Sequence, residues 1–275
     1  MTGDTREQCL FVLHGSGSNG KTTFIETLQA LLGDYAQSTP SASLLAKDRH
    51  DCIPNDIARL RGARLVTAVE IGQGKRLNEE LVKRLTGQDT MTARFLHAEF
   101  FDFKAEFKLC IACNHLPTIT DTDHAIWRRI RLIPFLVTIP ECEQDKDLPA
   151  KLRAELPGIL AWAVCGCLAW QQEGLGTPEE VKQATAGYRA SMDVLGRFID
   201  ECCIVGPQVR VKASDIYTAY KTWCEASGEY AMTQRNIGVR LTERGLEPQR
   251  GTAGTRWWVG IGLRQAVTSD ASDAE

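Results

Sequence analysis

Through the first half of the chain, short apolar runs alternate with stretches of helical periodicity. Residues 10–13, 64–69, 92–96, Lys108–Cys113 and 130–135 have the length and the apolar density of strands. Between the first two, Lys21–Leu32 places Phe24, Ile25, Leu28, Leu31 and Leu32 on one helical face, and Gly33-Asp34 ends the pattern. Strands alternating with helices predict an α/β domain built on a largely parallel sheet. Residues 40–62 are polar and irregular and predict no firm element.

The second half reads differently. Residues 152–170 are strongly helical, and Pro178 is placed to open another helix. Three further helices are expected at 194–204, 213–226 and 233–245. Two short strands around a glycine-rich turn follow, in EPQRGTAGTRWWVGIGL. Three helices and a hairpin describe a winged helix. The pattern therefore divides the chain into a core at 1–140, a helical segment at 141–190, a winged-helix domain at 191–263 and a small, polar, acidic tail at 264–275, expected to be disordered.

The most informative stretch is HGSGSNGKTT, which follows the first strand and opens the first helix. It matches the phosphate-loop spacing G-x-x-x-x-G-K-[ST] at Gly15, Gly20, Lys21 and Thr22. Glycines let the backbone wrap a phosphate with its amides pointing inward, and the helix N-terminus adds partial positive charge. Residues Gly15, Ser16, Gly17, Ser18, Asn19, Gly20, Lys21, Thr22 and Thr23 are thus expected to hold ATP. Lys21 would lie at the β- and γ-phosphates and the Thr22 hydroxyl on Mg²⁺.

Such a loop needs a carboxylate at a neighbouring strand end. RLVTAVE supplies Glu70, either as a metal-associated group or as the base for the attacking water. FKLCIAC ends in Asn114, a polar amide able to orient that water, or else a turn former. HAIWRRIRLIPF carries Arg128, Arg129 and Arg131 ahead of an apolar strand; one of Arg128 and Arg129 is a candidate finger for a neighbouring subunit's nucleotide, against the alternative of solvated charge.

Composition narrows the class only a little. The chain has 275 residues, 43% hydrophobic and 24% charged, with a net charge of −3. Any nucleic-acid-binding surface must therefore be local. No apolar run reaches the ~18 residues of a membrane span, so a soluble, cytoplasmic protein without membrane contact is expected. Among ten cysteines, Cys110-Ile-Ala-Cys113 is a CxxC by spelling but lies inside a strand pattern, and no second pair completes a zinc site. These, with Cys165, Cys167, Cys202 and Cys203 in helix-like segments, read as reduced core cysteines.

Taken in order, GSGSNGKTT, RLVTAVEIGQGKRLNEELVKRLTGQDTMTARFLH, FKLCIACNHLP and DHAIWRRIRLIPF resemble the superfamily 3 helicase domain of phage and plasmid primase-helicases, which are related to the poxvirus primase-helicase. The resemblance implies an AAA+-like ATPase that forms a ring, expected to be a hexamer, and translocates on single-stranded DNA during replication. It makes Glu70 the Walker B acid, Asn114 sensor 1 and Arg128 or Arg129 the arginine finger, and it maps a further motif onto residues 77–96, including Lys83, Asp89 and Arg94. A hairpin before sensor 1 would enter the ring channel with its tip near residues 97–104, making His97 and Lys104 candidate DNA contacts. Phe95, Phe100, Phe101, Phe103 and Phe107 would either stack on bases or pack the hairpin. The chain departs from many relatives in having Val69 before a single Glu70. It reads as a motor with a C-terminal module, without the primase and helical collar domains those relatives carry upstream.

In the C-terminal module, Arg235, Arg240 and Arg244 on the third helix suit DNA phosphates, with Arg250 and Arg256 in the wing, against the alternatives of ordinary solvated helix charge and of a winged helix that serves protein contacts. Ile237, Val239 and Leu241 are candidate core positions, and at least one of Trp257 and Trp258 should be buried. The rival to a helicase is an ATP-switched DNA-binding initiator module that does not unwind; a small-molecule kinase would leave the C-terminal module without a purpose.

Overall fold

Residues 10–13 and the histidine after them form the central part of a five-stranded sheet in the computed structural model, which describes residues 2–46, 54–120, 124–251 and 254–264. The strands are β1 (Leu10–His14), β2 (Ala36–Ser38), β3 (Leu65–Val69), β6 (Lys108–Cys113) and β7 (Ile130–Pro134). Their order is β2-β3-β6-β1-β7, and every pairing is parallel. Parallel strands need crossovers. Helix α1 (Lys21–Leu32) leads from β1 to β2, and the short α2 (Pro54–Ala58) precedes β3.

Between β3 and β6 the chain forms α3 (Glu79–Thr86) and a hairpin of β4 (Thr90–Ala93) with β5 (Phe101–Lys104). The start of α3 is explicit in the sequence. Asn78 accepts from the Leu81 amide at 3.0 Å, Glu79 and Glu80 occupy the first turn, and Lys83 and Arg84 the last, each matching the helix dipole. Its apolar face, Leu81, Val82 and Leu85, is buried in the main core with Val66, Leu109, Ile111 and Ile126.

After α4 (His124–Trp127) and β7 come α5 (Leu148–Ala154), α6 (Leu156–Glu173) and α7 (Glu179–Met192). The expected single helix at 152–170 is two, with a 73° bend at Glu155. Pro157 lacks the amide that a continuous helix would require there. Helix α7 covers β7: the Leu132 amide donates to Thr185 Oγ1 at 3.1 Å, so an edge strand's free donor is satisfied. Tyr188 meets Trp127 edge-on at 5.2 Å and donates to the Pro117 carbonyl. No single helix among the described residues is long and apolar enough to cross a membrane.

The chain divides into two units, 1–192 and 193–275, so the helices at 141–190 fall within the first. The second contains α8 (Val194–Cys202), β8 (Cys203–Lys212), α9 (Ala213–Ser227), α10 (Gln234–Glu243), β9 (Glu247–Arg250) and β10 (Arg256–Leu263). Its sheet is antiparallel in the order β8-β10-β9. Phe198, Tyr220, Cys224, Ile237, Leu241, Trp258 and Ile261 form its core.

Three expectations change here. The helix at 194–204 stops at Cys202, and Cys203 opens a strand, so the hairpin becomes a three-stranded sheet. Strand β8 accommodates Pro207 because it is an edge and its pairing shifts register between Val259 and Ile261. The strand at 92–96 ends at Ala93. Val239 is 53% exposed rather than core. The acidic tail beyond Arg264 lies outside the described residues.

Candidate nucleotide site

The glycine-rich loop runs from the C-terminal end of β1 to the first turn of α1. It is held on both sides by neighbouring strands. The Gly15 amide donates to the Cys113 carbonyl of β6 at 3.4 Å, and beyond β7 the Phe135 amide donates to the His14 carbonyl at 2.7 Å. A Cβ on Gly15 would overlap Asn19 and the Phe135 carbonyl, so only glycine fits. Gly20, in the left-handed region at φ 83°, turns the chain into α1.

Lys21 is buried inside this loop. Its ammonium donates to the Gly15 carbonyl and to Asn19 Oδ1, both at 2.8 Å. Asn19 in turn donates from Nδ2 to the Phe135 carbonyl at 3.1 Å. Burial pushes the Lys21 pKa down from its ordinary value, since charge is costly there. Thr22 is exposed at the helix start, and Ser16 Oγ lies 3.4 Å from Thr138 Oγ1. Gly17 and Ser18 also adopt positive φ, at 121° and 47°.

The sheet order brings two of the expected partners beside the loop. Strand β6 pairs with both β1 and β3. His14 is level with Cys113 and Val69 with Ala112, so Asn114 and Glu70 both lie at strand C-terminal ends, on the same edge as the loop. Both side chains are exposed. Glu70 takes a left-handed backbone at φ 60°, fixed by its amide donating to the Ala112 carbonyl at 3.0 Å and by Ser41 Oγ donating to its carbonyl at 3.0 Å. A non-glycine residue held there is strained by about 1–2 kcal/mol. His14, at the end of β1, has its pKa pushed down by burial, opposed by a hydrogen bond to the Asn114 backbone. The sequence pattern assigns that histidine no role, and its nearness to Asn114 follows only from β6 pairing with β1.

Arg128 and Arg129 are not brought to this edge. They precede β7, beside the residues that precede β1: the Leu10 amide donates to the Arg129 carbonyl at 2.8 Å, and Arg128 Nη2 donates to Gln8 Oε1 at 2.5 Å. A five-residue strand, roughly 16 Å, separates them from the loop. They differ from each other. Arg128 is exposed, while Arg129 is 8% exposed and donates to the Ala125 carbonyl at 2.6 Å.

The hairpin corrects one expected contact. His97 is in the exposed connection between β4 and β5, at φ 62°. Lys104 is opposite Thr90 at the other end of the hairpin, so it is not at the tip. Arg94, 4.7 Å above the Phe100 ring, is the cation in that connection. The phenylalanines divide: Phe103 and Phe107 are buried, Phe95 stacks on Phe101 at 5.6 Å, and Phe95 and Phe100 are exposed.

In the second unit Arg235 is exposed and Arg240 half-buried on α10. Arg244 is bound to both carboxylate oxygens of Asp193 at 2.5 Å and is therefore committed within the unit. Cys110 and Cys113 lie in the sheet, with burial pushing their thiols up to about 12 and about 11. Among the described residues no cluster of His, Cys, Asp and Glu could hold a metal ion.

Residues 13–129 match a family of unknown function (DUF5906), and residues 190–247 match the poxvirus D5 protein-like family. The chain is 29% identical to "Putative helicase 022R" of Frog virus 3 (isolate Goorha), with 86% of this chain and 26% of that protein covered. It is 30% identical to "Putative helicase L207/L206" of Acanthamoeba polyphaga mimivirus, with 82% and 26% covered. A third relative, "Putative primase C962R" of African swine fever virus (isolate Warthog/Namibia/Wart80/1980), is 26% identical over 86% of this chain. The chain thus spans about a quarter of the length of these curated relatives. The apo structure of the NrS-1 C terminal region has a similar fold, with a TM-score of 0.55 at 13% identity, covering 94% of this chain and 68% of that one.

Proposed function

The chain belongs to the primase-helicase family, whose helicase domain it carries, and from that premise we propose that it is an ATP-driven DNA helicase motor of superfamily 3. The observation that carries this reading is the shared edge of the sheet: a glycine loop enclosing Lys21, with the ends of β6 and β3 presenting Asn114 and Glu70 beside it.

In this reading the first unit is an AAA+-like P-loop ATPase. The backbone amides of residues 15–20 and the N-terminus of α1 receive the phosphates of ATP, and Lys21 exchanges its loop partners for phosphate oxygens. The residues fit Mg²⁺ as the companion of ATP, with the Thr22 hydroxyl as its ligand and Glu70 holding it or its water. The cation would supply charge neutralisation on the phosphates. Glu70 and Asn114 orient the attacking water. Arg128, exposed and remote from its own loop, reaches a neighbouring subunit's nucleotide; Arg129 is buried and supports the segment that presents it.

Such a finger requires assembly, and a hexameric ring around single-stranded DNA fits it. His97 and Arg94 in the β4–β5 connection are the proposed channel contacts. We read the second unit as a winged helix, with α10 offering Arg235 to duplex phosphates.

The test is DNA-stimulated ATP hydrolysis by the Lys21→Ala chain, which is expected to be abolished; undiminished turnover would remove the nucleotide-site assignment. Strand displacement on a forked duplex separates a motor from a switch. ATP-dependent DNA binding without displacement would favour an initiator module.

A further inference from the structure

The sheet of the second unit has two faces of opposite character. Val211, Trp258 and Ile261 point into the helical core. Alternation along the strands turns Arg210, Lys212 and Trp257 to the outer face. Trp257 is on the central strand, directly opposite Lys212 of β8 and Gln249 of β9. The Arg210 guanidinium lies 5.0 Å from the centre of its ring, and Lys212 Nζ lies 5.8 Å away. Both cations are exposed, and neither forms an ion pair among the described residues. Glu247, opposite Val259, is the carboxylate of β9 on this face.

The geometry points to this outer face, centred on Trp257 with Arg210 and Lys212, as a binding platform for single-stranded DNA, an inference that rests on the helicase reading above. The two cations take phosphates, and an unpaired base lies against the Trp257 indole or the guanidinium plane above it. Trp257 is half-buried while Arg210 and Lys212 are both exposed, so the two cations can swing from the ring to phosphates at modest cost. Single strands are favoured over duplex because paired bases keep their π-faces stacked on one another. The platform does not include α10 or Arg244, which follows that helix and is held by Asp193.

The test is binding of a fluorescent twenty-residue oligothymidylate, and of a duplex of equal length, to the full chain at several salt concentrations. The Arg210→Ala/Lys212→Ala chain is expected to lose about tenfold or more in single-strand affinity and to flatten the salt dependence by a slope of about 1.4, for two phosphate contacts. Trp257→Ala should lose about fivefold or more, and Trp257→Phe should keep most of the affinity. Basal ATP hydrolysis in all three should match the unaltered chain. Because Arg210 and Lys212 are exposed, their variant carries the test if Trp257→Ala does not fold. Unchanged single-strand affinity in the double variant, or an equal loss for duplex, overturns the platform and leaves the helicase reading intact. If the unaltered chain binds no single strand with or without ATP, both readings fall.

Discussion

Asn19 is the only side chain hydrogen-bonded to Lys21 among the described residues: its Oδ1 accepts from the buried ammonium at 2.8 Å, while its Nδ2 donates to the Phe135 carbonyl at 3.1 Å. One amide thus fixes the lysine and ties the loop to the chain leaving β7. Replacing it by alanine leaves both partners short of a hydrogen bond, at about 1–3 kcal/mol. Because Lys21 is proposed to leave its loop partners for phosphate, the loss falls on the nucleotide-free loop, and Asn19→Ala is expected to lower the thermal unfolding midpoint of the chain without ATP. An unchanged midpoint would show that the loop is held by its backbone alone.

Two glycines separate packing from propensity. At Gly15 an added Cβ would overlap Asn19 and the Phe135 carbonyl. At Gly166, inside α6, nothing lies within 4 Å of the same position. Gly15→Ala is expected to lower the melting temperature and remove nucleotide binding. Gly166→Ala is expected to raise it by about 2–4 °C, from the ~1 kcal/mol helix preference of alanine. Thermal melting of the two variants side by side checks both signs.

Glu70 holds its strained backbone at the strand end proposed to face the attacking water. Glycine adopts that conformation without cost. Glu70→Gly should gain up to about 1 kcal/mol of stability while losing ATP turnover. Glu70→Gln should lose turnover with an unchanged melting temperature. A Glu70→Gly chain that melts lower and hydrolyses normally would contradict both the strain and the role.

Much of this site was legible in the sequence because it is local. The loop spacing and the apolar face of Lys21–Leu32 each depend on residues within a few positions. The strand ends at Glu70 and Asn114 were legible as ends, but their nearness to Lys21 depends on β6 lying between β1 and β3, which no local pattern encodes. Three further features escaped for nameable reasons. Apolar periodicity runs unbroken from Phe198 into Val205, hiding the change from helix to strand at Cys203. The resemblance set the hairpin tip near residues 97–104 and so made Lys104 a candidate contact, yet its cross-strand partner is Thr90. The burial of Arg129 beside an exposed Arg128 follows from tertiary packing that adjacent arginines do not reveal.

The sheet thiols give a pH dependence. Burial raises Cys110 to about 12 and Cys113 to about 11, from an ordinary value of 9.0. Above pH 9 the unfolded chain loses these protons first, so the folded state binds more protons and stability falls as pH rises. Unfolding midpoints should therefore drop between pH 9 and 11, and Cys110→Val should make the decline shallower. Native alkylation near pH 8, followed by mass spectrometry, should label the exposed Cys142 and Cys165 well before Cys110 and Cys113.

Asp193 serves two partners at once, and this changes what Arg244 is for. Its Oδ1 accepts from the Gly196 amide at 2.9 Å, capping α8, and both its oxygens accept from Arg244. The pair is about one-third exposed, so solvent screening limits its contribution to about 1 kcal/mol despite the two-oxygen geometry. Arg244→Ala should cost about that much stability and leave duplex DNA affinity near that of the unaltered chain. Asp193→Ala should cost roughly 1 kcal/mol more, because the cap is lost with the pair. Arg235→Ala, from an exposed position on α10, should do the reverse: no loss in thermal stability and a weaker, less salt-dependent duplex affinity. If Arg244→Ala instead weakens duplex binding at an unchanged melting temperature, its bond to Asp193 is dispensable and the arginine belongs to the DNA surface.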